Sequence, residues 1–457
     1  MVFWAVGCIL LALLTWWFWH SQAPPGRSSD GKRQPRRRGP AEEEHKAAGV
    51  PLGEERGSPV GGCRLICKPS ALAQALVKSF CRSAHLETKG WSWKRWPNLQ
   101  TAVQLLWPPD RPLEFSRDHL QLADEGIVAL DWVSGPVDGG TKATDAAVLL
   151  VVPNATGTIS RNVQHLCRLA LRQGYHPVIF NRRGHNGCPL TTPRLQPFGD
   201  PGDLKEAVAY IRFRHPTRTL FAASEGSGSG LLLSYLGECG SSSYLCGAAC
   251  ISPILKAQDW FEAGLPWLHE WSLLLPQKRN VSRYTEALEK VVEMDRVLGS
   301  SSLRAFEAAL FCPQQRQKMS WETYWASNDP LRDVDEVAVP VLCLCSADDP
   351  VRGAPEDTIP WELFQSNPFF FLLLSPHGGH CGFLGKDPKG SWGNAVVLEY
   401  LQTLAEFLRG EERVKDKPRR RTATAQHRCC RRRGPLRNRG AALPGLDLFS
   451  WQRSYTR

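Results

Sequence analysis

The sequence is short of the signals that would commit it to a metal or dithiol site. Fifteen cysteines are scattered through 457 residues with no CxxC pair and no cysteine/histidine set at zinc spacing, which argues against a zinc module or a CxxC redox motif. No repeat with a period of about 20–50 residues is visible, so solenoids and propellers are set aside. The bulk of the chain also lacks positive charge. Lys and Arg total 56 against 45 Asp and Glu, a net +11, yet residues 413–439 alone hold twelve basic groups and one acidic group, and residues 57–412 sum to −3. A nucleic-acid-binding domain draws its field from its folded surface, so nucleic acid is not the expected partner.

What is present is segmented. At 42% hydrophobic and 22% charged residues the composition is that of globular protein, long enough for one domain of roughly 250–300 residues or two smaller ones. Residues 2–19, VFWAVGCILLALLTWWFW, carry no charge and end in four aromatics, close to the ~20 residues that cross a bilayer. No Lys or Arg precedes this run, and Arg27, Lys32, Arg33, Arg36, Arg37 and Arg38 follow it. The pattern predicts an uncleaved single-pass anchor with the rest of the chain cytosolic. The expected location is a membrane, the endoplasmic reticulum first, with a cleaved signal and a secreted binding protein as the alternative. Residues 21–60 are rich in Pro, Gly and charge and read as a disordered linker.

Beyond the linker, AAVLLVV (146–152), HPVIF (176–180) and VPVLCLC (339–345) are apolar runs of strand length, as buried parallel strands would be. Between such runs lie helical periods. Leu204, Val208 and Ile211 recur at i, i+4 and i+7 behind Asp203, which the spacing predicts as the N-cap, and Pro216 closes the segment. Alternating strands and helices predict an α/β fold with a parallel sheet. Cysteines within these runs, such as Cys343 and Cys345, act as small hydrophobes. One disulfide, between Cys63 and Cys67, is left open.

Three segments stand at predicted strand ends, where α/β sheets place ligands: VLLVVPNATG, TLFAASEGSGSGLLLSYLG, and VLCLCSADDPV paired with FLLLSPHGGHCGF. Their order, a serine-rich elbow, then Asp, then His, is that of the α/β-hydrolases. A hydroxyl nucleophile needs a histidine base, and the base needs a carboxylate to fix its tautomer. NLQT (98–101), LADEGIVALDW (122–132), PNATG (153–157), FNRRGHNG (180–187), LRAFEAALF (303–311), SADDP (346–350) and HGGHCGF (377–383) together resemble the membrane-anchored, lipid-acting α/β-hydrolases related to bacterial YheT, over roughly residues 90–410.

The resemblance implies an α/β-hydrolase fold, with a mostly parallel central sheet, helices on both faces and a helical cap insertion. It implies a first segment at 1–20, the linker, an extension at 61–112, the hydrolase domain at 113–410 with its cap at about 255–335, and a basic disordered tail at 411–457. It puts Asp349 at the acid position, with Asp348 as the adjacent alternative, and His380 at the base position. At the nucleophile position the sequence departs from the pattern. GxSxG cannot be written across residues 221–232, and ungapped alignment puts Gly226 of Ser224-Glu225-Gly226-Ser227-Gly228 where the serine should stand. Ser227 is the nearest candidate, and Ser224 fits a looser AxSxG. PNATG is similar to the loop that lends a backbone N–H to the oxyanion hole, with Asn154 in place of glycine.

Two readings follow. One is a non-catalytic regulator or scaffold in lipid metabolism, a pseudoenzyme with a protein partner. The other is a serine-type lipid-ester hydrolase or acyltransferase at a membrane, with Asp349, His380 and Ser227 as its triad. Lipid or acyl ester is the expected ligand class, and neither cofactor nor metal is expected. Trp260, Trp267 and Trp271 in the cap suit either an acyl chain or a core. Asn154 and Asn280 head glycosylation sequons whose use is not expected. In the tail, Arg419–Arg421 and Arg431–Arg433 flank Cys429 and Cys430. That pattern reads as a solvated tail, as a clasp on anionic lipid reinforced by acylation, or as a surface for an acidic protein or RNA.

Overall fold

The computed structural model of the chain describes residues 58–60, 62–82, 96–106, 113–135, 146–312, 319–385 and 390–416. The apolar run 2–19 and the arginine runs of the tail lie outside the described residues. Among the described residues no helix is long and apolar enough to cross a membrane.

Among the described residues ten strands form one sheet: β1 (Ser58–Val60), β2 (Cys63–Cys67), β3 (Glu114–Gln121), β4 (Ile127–Ser134), β5 (Val148–Val152), β6 (His176–Asn181), β7 (Leu220–Glu225), β8 (Gly247–Ile251), β9 (Val341–Ser346) and β10 (Phe370–Ser375). Their spatial order is β1-β2-β10-β9-β8-β7-β5-β6-β4-β3. The pairs from β10 through β6 are parallel, and antiparallel strands close both edges. Continuous apolar runs become central strands because helices cover both faces of the sheet. In β5, Leu149 and Val151 pack into one core beside the helices Ala71–Arg82, Arg161–Arg172 and Trp392–Asp416. Val148, Leu150 and Val152 pack into the other, beside Gly202–Arg214 and Gly228–Cys239. The period of two along a strand does this sorting.

Two local expectations are corrected. Cys63 and Cys67 are both free and occupy the two ends of β2. Four residues of extended chain separate their Cα atoms by about 13 Å, roughly twice the reach of a disulfide. Asp203 is not the N-cap of its helix; that position falls to Pro201, and Asp203 lies in the first turn. Its carboxylate instead accepts from Arg183 Nε at 2.6 Å and Nη2 at 2.7 Å, while the same guanidinium reaches Asp124 at 2.7 and 2.9 Å. A buried guanidinium outbids a capping role, because leaving it unpaired would cost more than an unmade cap. Arg183 thereby ties the LADEG turn to the FNRRG loop.

The cap occupies the connection between β8 and β9 and has its own core, in which Trp260, Phe261, Phe306, Tyr324 and Trp325 pack together. The three cap tryptophans divide. Trp260 is 9% exposed and its Nε1 donates to Val351 O at 2.7 Å, whereas Trp267 and Trp271 are 64% and 59% exposed.

Candidate functional site

The parallel strands deliver four loops to one end of the sheet. The order β6-β5-β7 marks the point where successive crossovers run in opposite directions, which is where doubly wound sheets open a crevice. The loop after β5 carries Asn154 and Ala155, and the one after β7 carries Gly226 and Ser227. Asp349 follows β9 and His380 follows β10.

The turn after β7 begins at Gly226, whose φ of +52° is the left-handed conformation that glycine adopts freely. Its N–H donates to Ile251 O at 2.9 Å. A Cβ at Gly226 would lie 3.1 Å from His380 Nε2 and 3.8 Å from Asn154 Cβ. The residue facing the imidazole is therefore Gly226. Two residues on, a Cβ at Gly228 would meet Pro153 O at 2.3 Å, so the helix packs against the β5 loop through a glycine.

Asp349 and His380 are brought together. His380 Nδ1 stands 3.0 and 3.2 Å from the two carboxylate oxygens, and Asp349 Oδ1 also accepts the N–H groups of Val351 and Arg352 at 2.9 Å each. Burial favours the protonated carboxyl of Asp349, but His380, Arg352 and these donors together draw its pKa below the usual range. Burial would likewise strip the proton from His380, yet the adjacent carboxylate holds its pKa well above 6.5. Asp348 has a separate task. It accepts from the N–H groups of Gly378 and Gly379 at 2.9 Å and from the Ser346 hydroxyl, with His377 Nδ1 at 3.2 Å, and so shapes the turn that presents His380.

Other residues that position His380 escaped the sequence reading. Thr101 Oγ1 accepts the His380 N–H at 2.9 Å and donates to Pro97 O, and Gln100 Oε1 accepts from Leu384 N–H at 3.2 Å. The Cys381 N–H donates to Ser252 Oγ at 2.9 Å. NLQT was visible as a motif, but no spacing rule links it to a loop 279 residues away.

Ser227 is not joined to His380. Its Oγ accepts the N–H of Ala155 at 2.9 Å, and among the described residues no hydroxyl hydrogen-bonds Nε2. Ser224 is buried and pairs with Ser229 at 2.9 Å. Asn154 accepts from the N–H of Thr156 at 3.0 Å and from its hydroxyl, and positive φ falls not on Asn154 but on Gly157. Asn280 is buried, a poor acceptor for a glycan.

These loops and the cap enclose a cavity of about 50 Å³. Its polar end is made by Asn154, Glu225, Ser227 and His380, and its apolar wall includes Ile254, Trp260, Phe261 and Leu273. Glu225 is buried and accepts the Ser160 hydroxyl at 2.6 Å; burial raises its pKa. Among the described residues no group of three His, Cys, Asp or Glu side chains could hold a metal ion. The arrangement is an acid–base pair facing a mostly apolar, partly open cavity, with the Gly226 backbone opposite Nε2.

Protein ABHD15 of Homo sapiens is 59% identical to this chain over 403 residues, covering 87% of the chain and 86% of that protein. Phospholipase ABHD3 of Homo sapiens is 30% identical over 326 residues, covering 69% and 78%. Among solved structures, the esterase Pf2001 of Pyrococcus furiosus is 12% identical with a TM-score of 0.40, covering 65% of this chain and 98% of that one. No family model matches the chain.

Proposed function

The chain belongs to the α/β-hydrolase family, and from that premise we propose that it is a non-catalytic member, a ligand-binding regulator or scaffold in lipid metabolism. The observation that carries this reading is the 3.1 Å between His380 Nε2 and the place of a Cβ on Gly226. In a working triad the imidazole takes a proton from a hydroxyl at that place. Here there is no hydroxyl, and the imidazole stands closer than a serine side chain would comfortably allow. The oxyanion hole of this fold is built from the N–H after the nucleophile and one from a neighbouring loop. The matching loop donor, Ala155 N–H, is already bound to the Ser227 hydroxyl. A substrate carbonyl would have to displace it.

The lipid connection is supported by the relative named as a phospholipase, and membrane residence by the apolar run 2–19. The ordered Asp349–His380 pair favours a second reading, a lipid-ester hydrolase or acyltransferase that uses Ser227. Labelling with a fluorophosphonate probe separates the two. The wild-type chain is expected to remain unlabelled, whereas Gly226→Ser gains labelling that is lost again when His380→Ala is added. A serine at this φ costs about 1–3 kcal/mol of backbone strain, so folding of the variant is checked by its thermal transition. Labelling of the wild type that disappears in Ser227→Ala would overturn the proposal.

A further inference from the structure

Among the described residues the Asp349–His380 pair has no hydroxyl bonded to Nε2, yet contacts that orient both residues are in place. With Nδ1–H held by Asp349, the imidazolium that this carboxylate favours also presents Nε2–H towards the cavity, where an acceptor shielded from water stabilises it. Beside it, the Ser227 hydroxyl accepts from Ala155 N–H, which leaves its own O–H available to donate. Two donors therefore line one end of a cavity whose lining is mostly apolar, with Gln104, Gln277 and Glu307 among its further polar groups. An ester or alcohol offers such a site at most neutral oxygens. A carboxylate offers two charged oxygens and no competing donor, and charge-assisted hydrogen bonds are the stronger kind.

We propose that the cavity receives the carboxylate of a free aliphatic carboxylic acid. One oxygen occupies the space beside Gly226 and accepts from His380 Nε2, the other accepts from the Ser227 hydroxyl, and the chain runs along Ile254, Phe261 and Leu273 of the cap. This assignment rests on the non-catalytic reading above, since an active nucleophile would claim the same space.

The groups facing the imidazole are consistent with it. Besides Asp349 they are Glu225, Cys381 and His269. Burial works against a negative charge on Glu225 and on Cys381, and it pushes Glu307, which also lines the cavity, up to about 7. Size constrains the ligand as well. A cavity of about 50 Å³ has room for roughly three to five waters. It admits the head group and first methylenes, and a longer chain must pass between the cap side chains.

The experiment is a calorimetric titration of the full chain with octanoate, octan-1-ol and methyl octanoate. Octanoate is expected to bind at least about tenfold more tightly than the other two, the worth of one charge-assisted hydrogen bond. His380→Gln and Ser227→Ala, each shown to be folded by a cooperative thermal transition, should weaken octanoate but not octan-1-ol. Equal affinity for octanoate and octan-1-ol, or undiminished octanoate binding by a folded His380→Gln chain, would overturn the assignment. Fluorophosphonate labelling of the wild type would instead strike the non-catalytic reading, so the two failures are told apart.

Discussion

His380 has two opposing influences on its charge, and the balance sets how the molecule responds to pH. Burial opposes the imidazolium, but Asp349 outweighs it and raises the pKa well above 6.5. A raised histidine contributes stability that is complete below its unfolded pKa of about 6.5 and is lost as pH climbs through the folded value. Asp349 runs the other way. Its lowered pKa contributes above the unfolded value of about 3.9 and is lost as pH falls through the folded one. The unfolding free energy of wild type minus that of His380→Gln should therefore be largest between about pH 4 and 6.5 and shrink towards pH 9. Urea denaturation at pH 5, 6.5 and 9 measures that difference. A gap that widens with pH would show that the imidazole is neutral in the fold.

At the scale of elements, the site depends on how closely the helix Gly228–Cys239 approaches the β5 loop. A Cβ at Gly228 would meet Pro153 O at 2.3 Å and Val152 O at 2.7 Å. Both are backbone atoms, so neither can rotate away. Gly228→Ala should destabilise the fold by about 1–3 kcal/mol, read as a lowered urea midpoint with an unchanged slope. An unchanged midpoint would mean that helix and loop separate without cost. The same elements show what the sequence made legible. VLLVV, HPVIF and VLCLC were readable as strands because burial on both faces leaves an unbroken apolar run. The Asp-then-His order at strand ends was readable because the fold fixes it. Other features depend on partners distant in sequence. Nothing local to Asp203 distinguishes an N-cap from an acceptor for Arg183, twenty residues back. The motif NLQT becomes meaningful only once its helix is seen holding the His380 turn. Gly226 is read from the sequence as standing where a serine would, and it does face His380. That its neighbour's hydroxyl instead caps Ala155 N–H was not readable, because a one-residue step along a tight turn redirects the side chain entirely.

For the whole molecule, charge is distributed in a way that the folded site does not require. Twelve basic groups fall within residues 413–439, while residues 57–412 sum to −3. Near an anionic bilayer each basic residue contributes about 1 kcal/mol, and the attraction fades beyond a Debye length of about 8–10 Å. The body, slightly negative, has no net attraction of its own to such a surface. Any preference for anionic lipid must therefore come from the basic segments outside the body, residues 27–38 and the tail, and it must be sensitive to salt. If the run at 2–19 anchors the chain, ordinary flotation cannot reveal this, because the anchor would carry the protein into any bilayer. Tryptic cleavage can, since Arg419–Arg421 and Arg431–Arg433 are themselves the cleavage sites. In proteoliposomes containing phosphatidylserine, cleavage within the tail should be slower than in phosphatidylcholine alone. The difference should vanish at about 0.5 M salt, where screening shortens the range to a few ångströms. Equal cleavage in the two lipids at low salt would place the arginines in solvent and leave the charge to a macromolecular partner.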